Sequence, residues 1–74
     1  MTKERLAEVG IALHGEIWKR SLAADLNVAV RTLERWADGS DDIPPGVVAD
    51  LSKLVDDKIA ALDALNTKIV ESLT

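Results

Sequence analysis

The sequence has no cysteine, no tyrosine, no phenylalanine and a single histidine, His14. Without cysteine the chain forms neither a disulfide nor a thiolate metal site, and one histidine cannot supply a cluster of imidazole ligands. No serine has a nearby histidine to act as its general base, and there is no glycine-rich loop to cradle a phosphate. We therefore expect no catalysis, no cofactor and no bound metal.

Long apolar runs are also missing, since no stretch approaches the roughly 18 residues that a membrane-spanning helix needs. The N-terminal sequence MTKERLAEVG is charged and lacks the apolar core of a secretory signal. We expect a cytoplasmic protein with no membrane partner and no small-molecule ligand. Its 74 residues predict one domain, 1–74, with a core so small that oligomerisation is a common remedy.

The net charge of −4 is unevenly distributed along the chain. Residues 1–37 contain six Lys or Arg and five acids, a net +1, whereas residues 38–74 contain three Lys and eight acids, a net −5. Strong non-specific binding to nucleic acid depends on a basic excess, which this chain lacks. The basic first half is nevertheless compatible with a specific binder of weak background affinity.

The segment 19–38 contains two apolar patterns of helical spacing with a short break between them. Within each pattern the residues are spaced by three or four positions and so share one helical face. The first pattern is Leu22, Ala23 and Leu26, and the second is Val30, Leu33 and Trp36. Because the break is short, the two helices must cross closely, and the small Ala23 permits this contact. Asn27 is predicted to form the turn, since Asn adopts positive φ more readily than most residues. Val28 is expected to fill the gap between the helices.

This segment resembles the helix-turn-helix of phage repressors and Cro proteins. The matching pattern is Leu22-Ala23…Leu26-Asn27-Val28…Leu33…Trp36. Asn27 stands where the family usually has glycine, and Ala29-Val30 stands where the family often has polar residues that read bases. The run VRTLERWADG followed by IPPGV is more narrowly similar to small prophage and anti-CRISPR-associated repressors. The alternative is a plain helical hairpin in a small bundle.

The resemblance implies that residues 29–38 form the recognition helix. Its predicted outer face consists of Ala29, Arg31, Thr32, Glu34 and Arg35. Arg31 and Arg35 are four residues apart and therefore adjacent, and Arg is well suited to bidentate contact with guanine. Glu34 either accepts from a cytosine amino group or, as we favour, orients Arg31.

The preceding helix of the pair is predicted at residues 16–26. The resemblance places its first residues against the DNA backbone, where they would hold phosphates: Lys19, Arg20 and Ser21. The alternative for these three side chains is a solvated helix face.

Residues 3–14 predict a first helix, capped by Thr2 and ended by Gly15 in a left-handed conformation. The predicted inner stripe comprises Leu6, Val9 or Gly10, Leu13 and Ile17. Gly10 is either a tolerated surface glycine or, as we favour, a point where another helix approaches closely.

Two ring side chains lie near the end of this first helix. His14 is interpreted as a C-terminal histidine favoured by the helix dipole, the alternative being a pH-sensitive or phosphate-contacting group. Trp18 is expected to anchor the core rather than to stack on a ligand.

Residues 39–46 predict a loop, and Pro44 or Pro45 suits the first turn of the helix that follows. A metal site in this region is disfavoured because the other ligands of a calcium loop are missing beside Asp38, Asp41 and Asp42. Residues 47–73 contain no Gly or Pro and predict one helix of roughly 40 Å.

The long helix has a single apolar row: Leu51, Val55, Ile59, Leu62, Leu65, Ile69 and Leu73. The row advances by about 3.67 residues per step, which disfavours a left-handed coiled coil. Beyond Ile59 it extends further than residues 1–46 can cover, and an uncovered apolar face indicates a partner. We expect a two-fold homodimer formed through the last four members: Leu62, Leu65, Ile69 and Leu73.

Together these patterns predict an all-α fold of four helices, with a central helix-turn-helix and a long C-terminal dimerisation helix. Residues 1–46 would hold three helices and a loop, and residues 47–74 the long helix. The predicted function is a sequence-specific regulator of transcription, a dimeric repressor that binds double-stranded DNA at an inverted repeat. The alternative is an acidic protein-interaction module, antitoxin-like or DNA-mimicking, which the net −5 of the second half favours.

Overall fold

The computed structural model describes residues 1–73 and is all-α across that range. It has four helices: α1 Lys3–His14, α2 Trp18–Leu26, α3 Val30–Ala37 and α4 Pro45–Glu71. The predicted fold class, four helices with a long C-terminal one, is confirmed. Thr74, which the predicted C-terminal segment included, lies outside the described residues.

The predicted boundaries of α1 are correct. The Thr2 hydroxyl accepts a hydrogen bond from the Arg5 amide at 3.1 Å, which satisfies one free donor of the first turn. At the other end Gly15 has a φ of 82°, a value that glycine adopts without the penalty of a side chain. Leu6 and Gly10 are buried in the predicted stripe, with Val9 and Leu13 half-buried beside them.

Ile17 was wrongly assigned to this stripe, since 88% of its surface is exposed. The chain turns at Gly15, so residues after it no longer follow the helical phase of α1. Ile17 is instead the non-helical residue that precedes α2, with φ −96° and ψ 57°. For the same reason α2 begins at Trp18, two residues after the predicted start.

The predicted close approach at Gly10 is confirmed, and the group that approaches is the indole of Trp18. A Cβ atom built on Gly10 would overlap carbon atoms of that ring. Trp18 is only 5% exposed, as expected of a core anchor. Glycine at position 10 therefore allows the first residue of α2 to pack directly on the backbone of α1.

The core is formed where the first three helices meet the beginning of α4. Its buried side chains are all apolar: Leu6, Trp18, Leu22, Ala23, Leu33, Trp36 and Leu51. Val47 and Leu54 of α4 pack against this cluster. Only the first part of α4 therefore contributes to the core.

The start of α4 lies two residues earlier than predicted, at Pro45. Pro44 is extended and Pro45 occupies the first helical position, where the missing amide hydrogen has no intrahelical partner to lose. The N-terminal unit, which comprises α1, α2, α3 and the loop, accordingly ends at residue 44 rather than at residue 46. The helix ends at Glu71, two residues before the predicted end.

Residues 56–73, which we call the distal segment, are exposed without exception. The exposed fractions of its apolar row are 60% at Ile59, 53% at Leu62, 54% at Leu65, 54% at Ile69 and 81% at Leu73. The prediction that this row outruns the N-terminal unit is confirmed. The longest dimension of 52 Å, against 22 Å and 20 Å, reflects this projecting helix. No helix within residues 1–73 is long and apolar enough to cross a membrane.

Candidate nucleic-acid interface

Helices α2 and α3 are joined by residues 27–29 and pack on each other. Asn27 adopts the predicted left-handed conformation, with φ 57° and ψ 45°. The Asn27 amide donates to the Ala24 carbonyl at 3.1 Å, and the Val28 amide donates to the Ala23 carbonyl at 3.0 Å. These bonds satisfy carbonyl groups at the end of α2 and fix the direction in which α3 leaves.

The small and apolar residues of this turn have the predicted positions. Ala23 is 1% exposed, and Val28 is half-buried against the core. The orientation of α3 is thus set by packing on its neighbours as well as by the backbone of the turn.

Helix α3 has one face in the core and one face in solvent. Leu33 is fully buried and Trp36 is 6% exposed, and Val30 is half-buried as predicted. Four of the five predicted outer residues are exposed: Ala29, Arg31, Glu34 and Arg35. Thr32 is half-buried, so only part of its side chain faces outward. Ala29 precedes the helix as its N-cap and has no side-chain hydrogen bond to offer the first turn.

Arg31 and Glu34 form no ion pair with each other within the described part of the chain. The predicted role of Glu34 in orienting Arg31 is therefore not seen. The Arg31 guanidinium is exposed and forms no hydrogen bond or ion pair with any of residues 1–73, so its donors are available to a partner.

Arg35, in contrast, is bound to a carboxylate of the loop that follows α3. Its Nε donates to one Asp41 oxygen at 2.7 Å and its Nη2 donates to the other at 3.3 Å. These hydrogen bonds lower the pKa of Asp41 and raise the pKa of Arg35, with the attraction between the two charges adding to both shifts. About half of each side chain remains exposed, at 51% and 46%.

The backbone of the loop explains why Asp41 reaches Arg35. Gly39 has a φ of 85° and turns the chain back, so the Asp41 amide also donates to the Arg35 carbonyl at 3.2 Å. The sequence interpretation considered Asp41 as a disfavoured metal ligand and missed this pair. The available signal was a carboxylate two residues after a helix-ending glycine, close enough to contact the last turn of α3.

Asp38 is also engaged within the loop. One of its oxygens accepts from the Ser40 amide at 2.7 Å, and hydrogen bonding to Ser40 lowers the pKa of Asp38. Over residues 1–73 no group of three or more His, Cys, Asp or Glu side chains is arranged to hold a metal ion. Asp38 and Asp41 thus order the end of α3.

The three predicted phosphate-binding residues lie at the exposed start of α2: Lys19, Arg20 and Ser21. The N-cap of this helix is Ile17, which makes no side-chain hydrogen bond to the first turn. The Lys19 ammonium lies 6.0 Å from the centroid of the Trp18 ring. The buried indole of Trp18 therefore anchors the start of α2, from which these three side chains extend.

His14 has a partner that the sequence interpretation did not include. Its Nε2 lies 2.6 Å from a carboxylate oxygen of Asp25, which links the end of α1 to the last turn of α2. The two residues are eleven positions apart, and no spacing rule relates the ends of successive helices at that distance. The contact holds α1 and α2 together.

In comparisons with known proteins, no protein family, curated protein or solved structure matches this chain.

Proposed function

We propose that the protein is a sequence-specific regulator of transcription, a dimeric repressor that binds double-stranded DNA at an inverted repeat. The observation that carries this proposal is the two-faced character of α3. Leu33 and Trp36 fix one face in the core, while Arg31 extends from the other with no ion-pair partner among the described residues. A rigidly held helix with a free guanidinium is the arrangement that major-groove reading requires.

Contact with bases would come chiefly from Arg31, in bidentate hydrogen bonds to a guanine. Arg35 is on the same face but must leave Asp41, or carry it along, before it touches DNA. Glu34 and the exposed part of Thr32 would then adjust the choice of neighbouring bases. Ala29 offers only a methyl group, which suits apolar contact with a thymine methyl.

Contact with phosphates would come from the start of α2. Lys19 and Arg20 are exposed cations, and Ser21 adds a hydroxyl donor. The first turn of α2 has no side-chain cap, and free backbone amides at a helix N-terminus bind phosphate oxygens well. Such contacts set the position and register of α3 without reading sequence.

Two copies of α3 would be brought together by the distal segment. Its exposed apolar row includes the four predicted interface residues: Leu62, Leu65, Ile69 and Leu73. A two-fold dimer reads an inverted repeat whose half-sites are about 34 Å apart, or a multiple of that distance. A repressor of this kind acts by covering a promoter.

The second candidate is an acidic protein-interaction module, antitoxin-like or DNA-mimicking. The net −5 of residues 38–74 favours it, because a dense negative field attracts a basic partner. The two candidates differ in which half of the chain makes the contact. Substitution in α3 should affect only the DNA-binding function.

The test is binding to the duplex DNA upstream of the protein's own gene, measured by fluorescence anisotropy. Arg31→Ala should weaken specific binding by about 1–3 kcal/mol, roughly 5- to 150-fold. Arg5→Ala is the matched control, since Arg5 is an exposed arginine of α1 paired with Glu8 at 2.9 Å. Equal binding by the parent and both variants would contradict the assignment of α3.

A further inference from the structure

The distal segment has a different apolar period from α4 as a whole. The row over residues 51–73 averages about 3.67 residues per step, but Leu51 is buried and Val55 is half-buried in the N-terminal unit. The free surface is therefore only the later part of the row. There the row takes four steps over 14 residues, from Ile59 to Leu73, an average of 3.5. The steps alternate between three and four residues along an exposed stripe that includes Asn66 in place of its neighbour Leu65: Ile59, Leu62, Asn66, Ile69 and Leu73.

Alternating steps of three and four residues are the heptad period of a left-handed coiled coil. In the usual notation Ile59, Asn66 and Leu73 are a positions, and Leu62 and Ile69 are d positions. The average over the whole row conceals this period, because it includes residues that already pack against α1 and α2.

We propose that the distal segments of two copies pair as a parallel, in-register, two-stranded coiled coil over residues 58–73. The occupant of the exposed apolar face is thus a second copy of this chain. The proposal deepens the dimer included in the proposed function, since it states the orientation and the register of the two helices.

The flanking positions provide the evidence for a parallel orientation. Lys58 and Leu65 occupy g positions, and Asp63 and Val70 occupy e positions. In a parallel pair each g residue faces the e residue five positions later in the other helix. Lys58 then faces Asp63 of the second copy, and Leu65 faces Val70, so charge meets opposite charge and apolar meets apolar.

An antiparallel pair would match these positions poorly. There g faces g and e faces e. The register with the longest overlap then sets Asp63 against Asp63 of the second copy, and shifted registers set Lys58 against Leu65 or Asp63 against Val70. Within one chain Lys58 and Asp63 form no ion pair in the part that the structure describes. Their complementarity is therefore available to a partner helix.

Asn66 favours the same arrangement. It is the only polar residue on the seam, at the central a position, between Leu62 and Ile69. In a parallel, in-register pair it meets Asn66 of the second copy, and each side-chain amide can donate to the other's carbonyl. A shift by one heptad would bury the amide against Ile59 or Leu73, and a polar a residue is known to specify register in this way.

The parallel arrangement also has a consequence for DNA. Its two-fold axis runs along the coiled coil, so both N-terminal units lie at the same end of the dimer. The two α3 helices are then related by that axis and can approach one face of a duplex. An antiparallel arrangement would separate the N-terminal units to opposite ends of the paired helices.

Disulfide cross-linking tests the orientation of the two paired helices. Because the chain has no native cysteine, only the introduced cysteines can react. Ile59→Cys should form a covalent homodimer under mild oxidation, because facing a positions come within the 4.4–6.8 Å that a disulfide spans between Cα atoms. Ala60→Cys, which points away from the seam, is the matched control and should remain largely monomeric on a non-reducing gel. A mixture of Ile59→Cys and Ile69→Cys should give little mixed dimer, because these two positions lie far apart along a parallel, in-register pair.

The contrary results are equally specific. Cross-linking only between Ile59→Cys and Ile69→Cys would show an antiparallel pair, in which a positions face d positions, and would overturn the proposal. A failure of Ile59→Cys to cross-link more than Ala60→Cys would also overturn it. Neither readout involves DNA, so the coiled coil and the DNA-binding function can fail independently.

Charge exchange tests the register through sedimentation equilibrium. Lys58→Asp and Asp63→Lys should each weaken dimerisation about tenfold, because two symmetric attractions become repulsions. The double variant should return to within about twofold of the parent. Asp63 is fully in the exposed segment, so Asp63→Lys cannot disturb the core. If the double variant is no better than the single variants, these two residues do not face each other.

Discussion

Gly10→Ala is a sharp test of how the N-terminal unit is packed. In an ordinary helix this change stabilises by about 1 kcal/mol, because alanine has the higher helix propensity. Here the added Cβ would overlap the indole of Trp18, which is 5% exposed and has no free space to enter. Overpacking of a core costs about 1–3 kcal/mol, and an overlap with a rigid ring belongs at the upper end of that range.

The net expectation is a loss of about 2 kcal/mol in the free energy of unfolding. For a domain of this size that corresponds to a fall in Tm of about 8–16 °C. Thermal unfolding followed by circular dichroism would measure it. All variants should be compared at one protein concentration, because association makes Tm depend on concentration.

Gly46→Ala is the matched control. Gly46 lies in the first turn of α4, and a Cβ built there meets nothing within 4 Å. The change should be neutral or stabilising by up to about 1 kcal/mol. In a Trp18→Leu background Gly10→Ala should also cease to destabilise, because the ring is gone. A Gly10→Ala variant as stable as the parent would refute the packing of Trp18 on α1.

Two further predictions concern the cationic residues. The double variant Lys19→Ala/Arg20→Ala should bind DNA of every sequence more weakly. It should also lower the slope of the logarithm of the binding constant against the logarithm of the salt concentration by about one unit per lost contact. An unchanged slope would show that Lys19 and Arg20 are not in the interface. Asp41→Ala should strengthen DNA binding a few-fold more than Asp42→Ala, because both remove one charge of the same loop but only the first releases Arg35. Equal effects of the two aspartate variants would mean that the ion pair does not restrain Arg35.

The sequence predicts most of the helix boundaries because they depend on local chemistry. Thr2 caps α1, Asn27 takes the left-handed turn and one of the two loop prolines lies in the first turn of α4, each for reasons contained within a few residues. The burial of Leu33 and Trp36 follows equally from the helical period. These features need no knowledge of the tertiary structure.

Contacts between side chains of different elements were less accessible. The pair formed by Arg35 and Asp41 depends on how far Gly39 turns the chain, and the pair formed by His14 and Asp25 depends on how two helix ends meet. Ile17 was misassigned because helical spacing was continued through a glycine that ends the helix. In each case the contacts and the burial of the side chains depend on the direction that the chain takes after a helix ends.

The period of the exposed row illustrates the same limit. Sequence alone gives one row from Leu51 to Leu73, and only the structure separates the part that is already covered from the part that is free. The heptad pattern emerges once the covered residues are set aside and Asn66 is included on the seam in place of Leu65. Burial therefore changes the interpretation of a pattern that is fully visible in the sequence.

The most direct test of DNA recognition by a two-fold dimer is selection from a pool of random-sequence duplexes with the full chain at physiological salt. The expected result is enrichment of an inverted repeat whose half-sites are about 34 Å apart or a multiple of it, with a guanine in each half-site that loses its enrichment when Arg31→Ala is used. A pool that remains random after repeated rounds, while the protein is folded and dimeric, would contradict the account.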